Sequence, residues 1–360
     1  MIAANAARTP CALVMAGGTG GHIFPGLAIA QALRDKGWRV HWLGAPGSME
    51  SRLVPARGFA LETVEFSGVR GKGLSSLLWL PLRLLRACWQ SLAVLGRVQP
   101  DVVLGFGGYI SLPGGLMSAL KSIPLLVHEQ NSVAGAANKV LARFARKTFS
   151  AFPGALDTAE HVGNPLRAEF LVQAEPDQRF VGRNGPLQIL VLGGSLGASA
   201  LNRIVPQAIA LMPASARPVV IHQSGEQHIE ALRTHYAQAG VEATLVPFIE
   251  DTASAMAQAD VIICRAGAST VTEIAAVGAA AVFVPFPAAV DDHQTHNARF
   301  LADHGAACLM PQNKLTPEGL AQWLQSCDRS ILLRYARAAK ARQNLAATKA
   351  MVQTCEEFVA

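Results

Sequence analysis

Residues 11–33 read CALVMAGGTGGHIFPGLAIAQAL, in which an apolar run leads through paired glycines into an amphipathic helix pattern. A strand that ends in a glycine-rich loop before a helix is typical of the opening of a Rossmann-like domain, because the free amides of the helix start receive phosphate there. Residues 187–205, LQILVLGGSLGASALNRIV, repeat this arrangement. The two openings predict an α/β chain of two Rossmann-like domains, with a ligand site in the cleft between them.

Strand candidates alternate with amphipathic helix candidates along the rest of the chain, as in parallel sheets with helical crossovers. The strand candidates are CALVMAG (11–17), RVHWLG (39–44), ALETVEF (60–66), DVVLGFG (101–107), PLLVHEQ (124–130), KTFSAF (147–152), LQILVL (187–192), RPVVIHQSG (217–225), ATLVPFIED (243–251), DVIICRAG (260–267) and AAVFVPFP (280–287). After the last of them we expect only helices.

The regular alternation breaks at Gly163, Asn164 and Pro165, where we place a domain boundary. We expect an N-terminal domain over residues 1–164, a C-terminal domain over 165–340 and a C-terminal helix over 341–360. The sequence leaves open whether that helix caps its own domain or returns to the first.

Composition bounds the class of protein. A chain of 360 residues is long for one core, and the six cysteines are scattered without a metal-like spacing, so we expect reduced thiols in a cytosolic protein. The segment before the first strand holds one basic residue, Arg8, and makes a poor signal peptide. No segment is apolar over a length that would span a bilayer.

A basic amphipathic stretch stands out from this background. Residues 66–100 contain no acidic side chain, and residues 73–96 within them read GLSSLLWLPLRLLRACWQSLAVLG, with leucine, tryptophan and arginine at helical spacing. Such a segment suits the headgroup region of an anionic membrane. The alternative is a helix that packs on the core and keeps its arginines in water. The candidate membrane patch consists of Leu74, Leu77, Leu78, Trp79, Leu82, Arg83 and Arg86.

Three glycine clusters lie at the ends of strand candidates, at residues 17–21, 104–117 and 193–197. The first does not fit the dinucleotide fingerprint, because the third glycine of that motif would fall at Ile23, and no P-loop lysine follows. These departures disfavour a nicotinamide dehydrogenase and a simple NTPase. Each cluster alone is compatible with a tight turn. Pro25 is suited to a first helical turn.

Two polar segments of the second half allow more than one interpretation. Thr270 and Glu273 fit a capping box, yet a carboxylate after a strand would equally accept hydrogen bonds from a ribose. Residues 291–297, DDHQTHN, fit an exposed loop and helix start, and their two histidines make a weak metal motif. Sugar recognition fits Gln294 and Asn297 better, because a sugar needs neutral donors and acceptors.

Taken together, these motifs closely resemble those of the MurG family of bacterial glycosyltransferases, from the first strand to the final helices. The segments that carry the resemblance are MAGGTGGHIFPGLAIA (15–30), DVVLGFGGYISLPGG (101–115), HEQNSVAGAANK (128–139), VGNPLR (162–167), VLGGSLGA (191–198), CRAGASTVTEIAA (264–276) and DDHQTHNA (291–298). The family has the two-domain GT-B fold, with the acceptor on the first domain and the donor on the second. Its final helix usually returns to the first domain.

The resemblance implies transfer of N-acetylglucosamine from UDP-GlcNAc to the 4-hydroxyl of a polyprenyl-diphosphate-linked muramoyl pentapeptide, with inversion to a β-1,4 linkage. It places Glu273 on the ribose hydroxyls, Gln294 on the sugar, and Ile249 with the loop around Arg265 beside uracil. The full implied donor set is Thr19, Gly20, Gly21, Asn131, Arg167, Ser195, Ile249, Arg265, Ala268, Ser269, Thr270, Val271, Thr272, Glu273 and Gln294.

The chemistry of that reaction needs a base near the attacking hydroxyl and stabilisation of the departing diphosphate. His22 is our candidate for the base, because imidazole titrates near physiological pH; the alternative is a positioning donor or loop anchor. Helix amides and Arg167 would stabilise the diphosphate. No Asp-x-Asp motif calls for a metal, and we expect neither a cofactor nor a nucleic acid partner.

A lipid-linked acceptor lies in the membrane, and the basic stretch would then serve to bind the membrane surface. The resemblance implies peripheral binding to the anionic inner leaflet, on the cytoplasmic face of the cell membrane, and allows contacts with cell-wall synthesis and division proteins. Three rivals make different predictions. Another UDP-sugar transferase or a UDP-GlcNAc epimerase would not release UDP in dependence on the lipid acceptor, and a non-enzymatic module would bind UDP-GlcNAc without transferring sugar.

Overall fold

The computed structural model describes residues 8–66, 68, 79–194 and 197–359 of the chain. The chain divides into two compact units. The first comprises Met1–Leu166 and Leu345–Ala360, and the second comprises Arg167–Asn344. The residues Leu74, Leu77, Leu78 and Ser195, which carry parts of the predicted patch and donor site, lie outside the described ranges.

The first unit is built on a seven-stranded parallel sheet in the order β3-β2-β1-β4-β5-β6-β7. Its strands are β1 (Cys11–Ala16), β2 (Arg39–Gly44), β3 (Ala60–Thr63), β4 (Val102–Gly107), β5 (Leu125–Glu129), β6 (Lys147–Ser150) and β7 (Glu160–His161). Its helices before residue 167 are α1 (Gly20–Asp35), α2 (Met49–Leu53), α3 (Leu80–Val98), α4 (Ser111–Leu120) and α5 (Ala136–Leu141).

Every residue of the central strands β1, β4 and β5 is buried. Helices cover both faces of a parallel sheet, and the central strands are therefore nearly continuous apolar runs. One core, around Val14, Leu104 and Ile29, lies on the α1 side, and another, around Leu13, Val103 and Leu95, lies on the α3 side. The alternating side chains of each strand thus supply both cores.

The second unit repeats the plan in a six-stranded parallel sheet in the order β10-β9-β8-β11-β12-β13. Its strands are β8 (Gln188–Leu192), β9 (Val219–Gln223), β10 (Thr244–Val246), β11 (Val261–Cys264), β12 (Ala281–Phe283) and β13 (Cys308–Leu309). Its helices are α6 (Ala168–Leu171), α7 (Pro176–Phe180), α8 (Ser199–Ala210), α9 (Ile229–Ala239), α10 (Thr252–Gln258), α11 (Ala268–Val277), α12 (His293–Ala302), α13 (Pro317–Ser326) and α14 (Arg329–Ala341).

The last helix, α15 (Ala347–Glu357), belongs to the first unit. Its buried residues Ala347, Met351, Val352 and Cys355 join the core on the α1 side. The chain therefore leaves the first unit once and returns to it at its end.

Each strand candidate corresponds to a strand of the structure, but two edge strands were not anticipated. The expectation of helices alone after residue 287 was wrong, because β13 pairs with β12. Both β7 and β13 are two residues long, too short for a hydrophobic period to mark them. Pro25 is the sixth residue of α1 rather than part of its first turn. None of the helices in the described ranges is long and apolar enough to cross a bilayer.

Candidate active site

In both units the candidate loops follow the two strands at which the strand order reverses. These are β1 and β4 in the first sheet, and β8 and β11 in the second. Open α/β sheets bind ligands at the carboxyl ends of the strands beside such a reversal, because the flanking loops diverge there. Three glycine clusters and the start of α11 therefore lie where the fold favours a ligand.

The first loop is held from below by a buried carboxylate. Glu50 is 1% exposed, and its carboxylate accepts hydrogen bonds from the amides of Gly18 and Ala45, both at 3.1 Å. A side chain at Gly17 would come within 2.5 Å of Glu50 Oε1, so the close approach requires glycine. The Gly18 amide thus serves the loop, while α1 starts at Gly20 with no acidic residue in its first turn.

His22, the third residue of α1, heads a chain of hydrogen bonds into the protein. Its Nδ1 lies 2.6 Å from Gln130 Oε1, and Gln130 Nε2 lies 2.8 Å from the His128 carbonyl and 3.0 Å from His128 Nδ1. His128 Nε2 donates to the Gly163 carbonyl at 2.9 Å. Burial lowers the pKa of His128 to about 4, against a smaller opposing effect of the Gly163 bond. His128 is therefore neutral at physiological pH.

The second glycine cluster packs against His22. Gly107 has φ +100°, which favours glycine, and a side chain there would lie 3.1 Å from His22 Cε1 and 3.2 Å from His22 Nδ1. A side chain at Gly108 would overlap the Gly17 carbonyl oxygen. This cluster is therefore required by close packing around the imidazole and the first loop.

The loop after β5, which carries Asn131, is organised by Glu129. This buried carboxylate accepts from the Asn131 amide at 2.9 Å, the Asn131 side chain at 3.3 Å, the Gly135 amide at 3.1 Å and the Asn138 side chain at 2.9 Å. Four donors satisfy a charge that would otherwise be costly to bury. Asn131 is thus fixed in place in the same unit as His22.

The glycine loop after β8 is backed by a neutral amide instead of a carboxylate. Gln223 Oε1 accepts from the Gly194 amide at 3.1 Å, and Gln223 Nε2 donates to the carbonyls of Gly194 and Pro247 at 3.1 and 3.0 Å. A carboxamide adds no negative charge beneath the loop. The loop after β8 therefore repels a bound anion less than the first loop does, because the first loop lies beside the Glu50 carboxylate.

The start of α11 excludes one of the two interpretations of Glu273. The helix begins at Ala268 after Gly267, so that Thr270 is its third residue and Glu273 its sixth. The capping-box interpretation is therefore wrong, because a capping box needs the threonine to precede the helix. Thr272 Oγ1 donates to the carbonyls of Ala268 and Ser269 at 3.1 and 3.0 Å.

The first turn of α11 offers donors to an anion. The amides of Ala268, Ser269 and Thr270 precede the first intrahelical bond, in which Val271 N donates to Gly267 at 3.0 Å. The turn contains no acidic residue, so the helix dipole is not offset locally. Ser269 Oγ is buried and has no hydrogen-bond partner among the described residues.

Glu273 is half-buried, and burial raises its pKa to about 7; Arg167 lowers it, and Glu169 raises it to a smaller extent. Arg167 lies in an ion pair with Glu169, with 2.8 Å between Nη1 and Oε1, and its guanidinium stacks 4.9 Å from the Phe170 ring centroid. A carboxyl whose pKa is raised by burial destabilises the folded state when it ionises. Such groups are concentrated at functional sites, so this carboxyl is a candidate for a functional role.

Arg265 is a framework residue of its loop. Its guanidinium donates to the carbonyls of Val284 and Pro285 at 3.0 and 3.2 Å and to Gln312 Oε1 at 2.7 Å, and it lies 5.5 Å from the Phe286 ring centroid. These bonds hold the segment after β12 against the segment after β11. Burial lowers the pKa of Arg265.

Gln294 and Asn297 differ in their surroundings. Gln294 is half-buried, and its Oε1 accepts from the Phe286 amide at 2.9 Å, so the amide nitrogen is directed away from that bond. Asn297 is fully buried and donates to the Ala266 carbonyl at 3.2 Å, which makes it a brace of the loop. The carbonyl of Ile249 accepts from Thr252 Oγ1 at 3.3 Å and keeps a second lone pair.

Two consecutive residues before α12, Asp291 and Asp292, have φ near +50°. Such left-handed backbone is uncommon outside glycine and costs of order 1–3 kcal/mol per residue when strained. It sets the chain direction into Gln294. Within the described ranges, no group of three or more His, Cys, Asp or Glu side chains is placed to hold a metal ion.

Helix α3 exposes an apolar stripe. Trp79, Leu82, Leu85 and Trp89 are 59%, 57%, 66% and 71% exposed. Their spacing of three, three and four residues places them on one side of the helix, while the opposite side is buried. This stripe of four residues extends the described part of the predicted patch by Leu85 and Trp89.

The basic character of α3 is weaker than its sequence suggests. Arg86 pairs with Glu65, with 2.6 Å between Nη2 and Oε2, and Arg97 pairs with Glu62. Both glutamates precede the acid-free window of residues 66–100. The local count of charges missed them because the fold brings β3 and the following segment beside the helix.

Sequence reasoning gave no role to Glu50, His128, Glu129 or Gln130, all of which organise the loops of the first unit. One signal was available. The strand candidate PLLVHEQ ends in three polar residues, and the structure buries all of them. Buried polar groups need partners, so such a run at the end of a central strand indicates a hydrogen-bond network.

Comparison with known proteins gives a consistent result. Residues 12–150 match the glycosyltransferase family 28 N-terminal domain, and residues 188–354 match the family 28 C-terminal domain. A relative from Paracidovorax citrulli (strain AAC00-1) is 67% identical over 97% of this chain and 98% of its own length. Another from Albidiferax ferrireducens is 66% identical over 97% of this chain and 91% of its own.

Both relatives are named UDP-N-acetylglucosamine--N-acetylmuramyl-(pentapeptide) pyrophosphoryl-undecaprenol N-acetylglucosamine transferase. The crystal structure of MurG from Acinetobacter baumannii superposes with a TM-score of 0.85 at 41% identity, covering 97% of this chain and 99% of that one.

Proposed function

The chain belongs to the MurG family within glycosyltransferase family 28, and we infer from this premise that it transfers N-acetylglucosamine from UDP-GlcNAc to lipid-linked muramoyl pentapeptide. The acceptor's 4-hydroxyl attacks the anomeric carbon, and the product is the β-1,4-linked disaccharide lipid. The observation that carries this inference is 67% identity to a transferase of that name over 97% of the chain.

We assign binding of the donor, UDP-GlcNAc, to the second unit. The amides at the start of α11 and the loop after β8 receive the diphosphate, because they offer donors and helix-dipole potential without a local carboxylate. Glu273 accepts hydrogen bonds from the ribose hydroxyls, the Gln294 amide nitrogen donates to the sugar, and the Ile249 backbone contacts uracil. Arg167 adds positive charge close to Glu273.

For the acceptor, we assign the first unit, with His22 as the general base. His22 is half-buried at the start of α1 and anchored through Nδ1, so its Nε2 is the ring nitrogen that remains for the substrate. Glu50 beneath the first loop makes this loop a poorer anion site than its counterpart. His22 therefore receives the proton of the attacking hydroxyl, while Thr19, Gly20 and Gly21 at the start of α1 contact the transferred sugar of the donor.

The apolar stripe on α3 supports peripheral binding to the membrane that holds the lipid acceptor. Tryptophan and leucine enter the headgroup boundary, and arginines nearby favour anionic lipids. We propose the cytoplasmic face of the cell membrane as its location, because the resemblance to the MurG family implies it.

The transfer assay tests the reaction. Labelled sugar from UDP-GlcNAc should appear on lipid-linked muramoyl pentapeptide, with UDP release that depends on the lipid. Release without the lipid, or epimerised donor without transfer, would overturn the assignment.

The base role of His22 has its own test. His22→Gln should lower kcat by a factor on the order of 10²–10⁴ with little change in KM for UDP-GlcNAc, because a general base acts in the transition state. His304→Gln, at an exposed histidine of the second unit, is the control and should keep full turnover. Near-normal turnover of a folded His22→Gln protein would eliminate the base role.

A further inference from the structure

The hydrogen-bond chain behind His22 has only one consistent arrangement of protons. A carbonyl oxygen can only accept, so His128 Nε2 must carry a proton toward Gly163 at 2.9 Å. His128 is fully buried and neutral, and its Nδ1 therefore has a lone pair. That nitrogen accepts a hydrogen bond.

Gln130 has a fixed orientation for the same reason. Two acceptors, His128 Nδ1 at 3.0 Å and the His128 carbonyl at 2.8 Å, face one end of its amide, which must be the NH₂ group. The other end is an oxygen, 2.6 Å from His22 Nδ1. An amide oxygen can only accept, so His22 Nδ1 must carry the proton.

We propose that Gln130 and His128 are positioning residues that hold neutral His22 as the Nδ1–H tautomer, with the lone pair of Nε2 available to the substrate. The proposal rests on His22 being the base. Without this chain, neutral imidazole would distribute its proton between both nitrogens, and the form with Nε2–H would be unable to act as a base. Glycine at position 107 leaves room for the ring in this orientation, because a side chain there would lie 3.1 Å from His22 Cε1.

The assignment completes the proton balance of the reaction. The acceptor O–H bond breaks as its proton passes to His22 Nε2, and the hydroxyl oxygen bonds to the anomeric carbon. The bond from that carbon to the diphosphate breaks, and UDP departs with the electron pair. The imidazolium that forms keeps its Nδ1–H bond to Gln130, whose carbonyl dipole stabilises the new charge, and later releases its proton to water.

The tautomer can be observed without any substrate. In ¹⁵N-histidine-labelled full-length protein, long-range ¹H–¹⁵N spectra separate protonated from unprotonated ring nitrogens, and His22→Gln identifies the His22 signals. We expect a protonated Nδ1 and an unprotonated Nε2 for His22. His128 and His222 serve as internal references with the opposite tautomer, since His222 Nε2 lies 3.1 Å from Asn202 Oδ1. A proton on His22 Nε2 in the neutral ring would overturn the proposal.

A variant pair tests the consequence for catalysis. Gln130→Met removes the acceptor, so the His22 signals should shift toward the Nε2–H form, and kcat should fall roughly ten- to a hundredfold at unchanged KM for UDP-GlcNAc. Gln31→Met makes the same change on the exposed side of α1 and should alter neither. Gln130→Glu, protonated on the oxygen facing His128, keeps an acceptor for Nδ1 and should retain the wild-type tautomer.

The outcomes separate this proposal from the proposed function. Gln130→Met that lowers only thermal stability, with His22 still protonated on Nδ1, would show a purely structural role and overturn the proposal. If the wild-type protein failed to transfer sugar, the proposed function would fall, while the spectra would still decide the tautomer.

Discussion

Burial of the Glu273 side chain opposes folding, and the ribose contact proposed above would offset that cost in the complex. Burial raises its pKa from an ordinary value of 4.5 to about 7, and the nearby Arg167 only partly offsets this. Since a capping role is excluded by the position of the helix start, burial of this carboxyl brings the fold no hydrogen bond at the cap. Ribose hydroxyls would supply the missing donors in the complex.

The pH dependence follows from the direction of that shift. Below about pH 4.5 the carboxyl is protonated in both the folded and unfolded chain, and it costs nothing. As the pH rises from about 4.5 to about 7, the unfolded chain loses the proton that the folded chain retains, so stability falls over this range. Above that pH the full loss of folding stability remains.

We therefore predict that Glu273→Gln stabilises the unliganded protein by about 1–3 kcal/mol at pH 8 and hardly at all at pH 4.5. The same change should weaken UDP-GlcNAc binding, because an amide is a poorer acceptor for a ribose diol than a carboxylate. Unfolding curves at both pH values and calorimetric titration with UDP-GlcNAc measure the two effects.

Glu242→Gln, at an exposed loop position, is the matched control and should change neither quantity. A loss of stability at pH 8 in Glu273→Gln would contradict the burial argument. Unchanged affinity would contradict the ribose contact.

For individual side chains, the sequence identified candidate residues by their chemistry but did not identify the residues with which they form hydrogen bonds. His22 and Glu273 could be selected because their chemistry suits a base and a diol acceptor next to glycine loops. Gln130 could not be paired with His22, since 108 positions separate them and only the sheet order brings the ends of β1 and β5 to the same edge. The pairs Glu50 with Gly18 and Arg86 with Glu65 were hidden for the same reason.

Among the helices, α3 exposes large apolar side chains to solvent, which lowers solubility. A helix that packs by one face would place polar residues on the other, yet Leu85 and Trp89 are 66% and 71% exposed. Two of its arginines are in ion pairs with glutamates, and exposed pairs of this kind contribute little to stability. The exposed leucines and tryptophans therefore carry more of the argument for membrane binding than the charges do.

We predict that Leu85→Glu lowers binding to anionic vesicles by about tenfold, through the loss of one buried leucine and the added negative charge. Stability should hardly change, because the side chain is exposed. Vesicle sedimentation measures the binding.

Leu211→Glu makes the same substitution at a leucine that is 53% exposed in the second unit, and it should leave vesicle binding intact. Equal losses in both variants would indicate a general charge effect and would count against the stripe on α3.

Strands and helices were predictable where their patterns were long. β1, β4 and β8 are apolar runs of five or six residues before glycine loops, and the sequence identifies them without ambiguity. The start of α11 was misjudged because Thr270 and Glu273 satisfy a local capping motif, while Gly267, the third residue after β11, already allows the helix to begin. The geometry of a short strand-to-helix connection, and not the local motif, therefore determines where this helix begins.

The whole chain is two copies of one topological plan, with the strand order 3-2-1-4-5-6 in each sheet and a seventh strand, β7, at the edge of the first. The copies differ in what supports their first loops: Glu50 in one and Gln223 in the other. A shared plan therefore does not imply a shared ligand. The doubling was visible in the sequence, because each copy opens with a strand, a glycine loop and a helix.

The final helix makes the first unit discontinuous in sequence, and this has a measurable consequence. Met351 on α15 is fully buried in the core on the α1 side. Met351→Ala should destabilise the first unit by about 2–5 kcal/mol, the range for truncating a buried methionine. Because each unit has its own core, hydrogen exchange should accelerate at the amides of β1, β4 and α1, and remain slow in β8, β11 and β12.

Leu332→Ala, which truncates a fully buried leucine in the core of the second unit, is the reciprocal control. It should accelerate exchange in β8 and β11 and spare β1 and β4. If either variant accelerated exchange equally in both sheets, the two units would unfold as one cooperative body. The final helix would then stabilise the whole chain rather than the first unit alone.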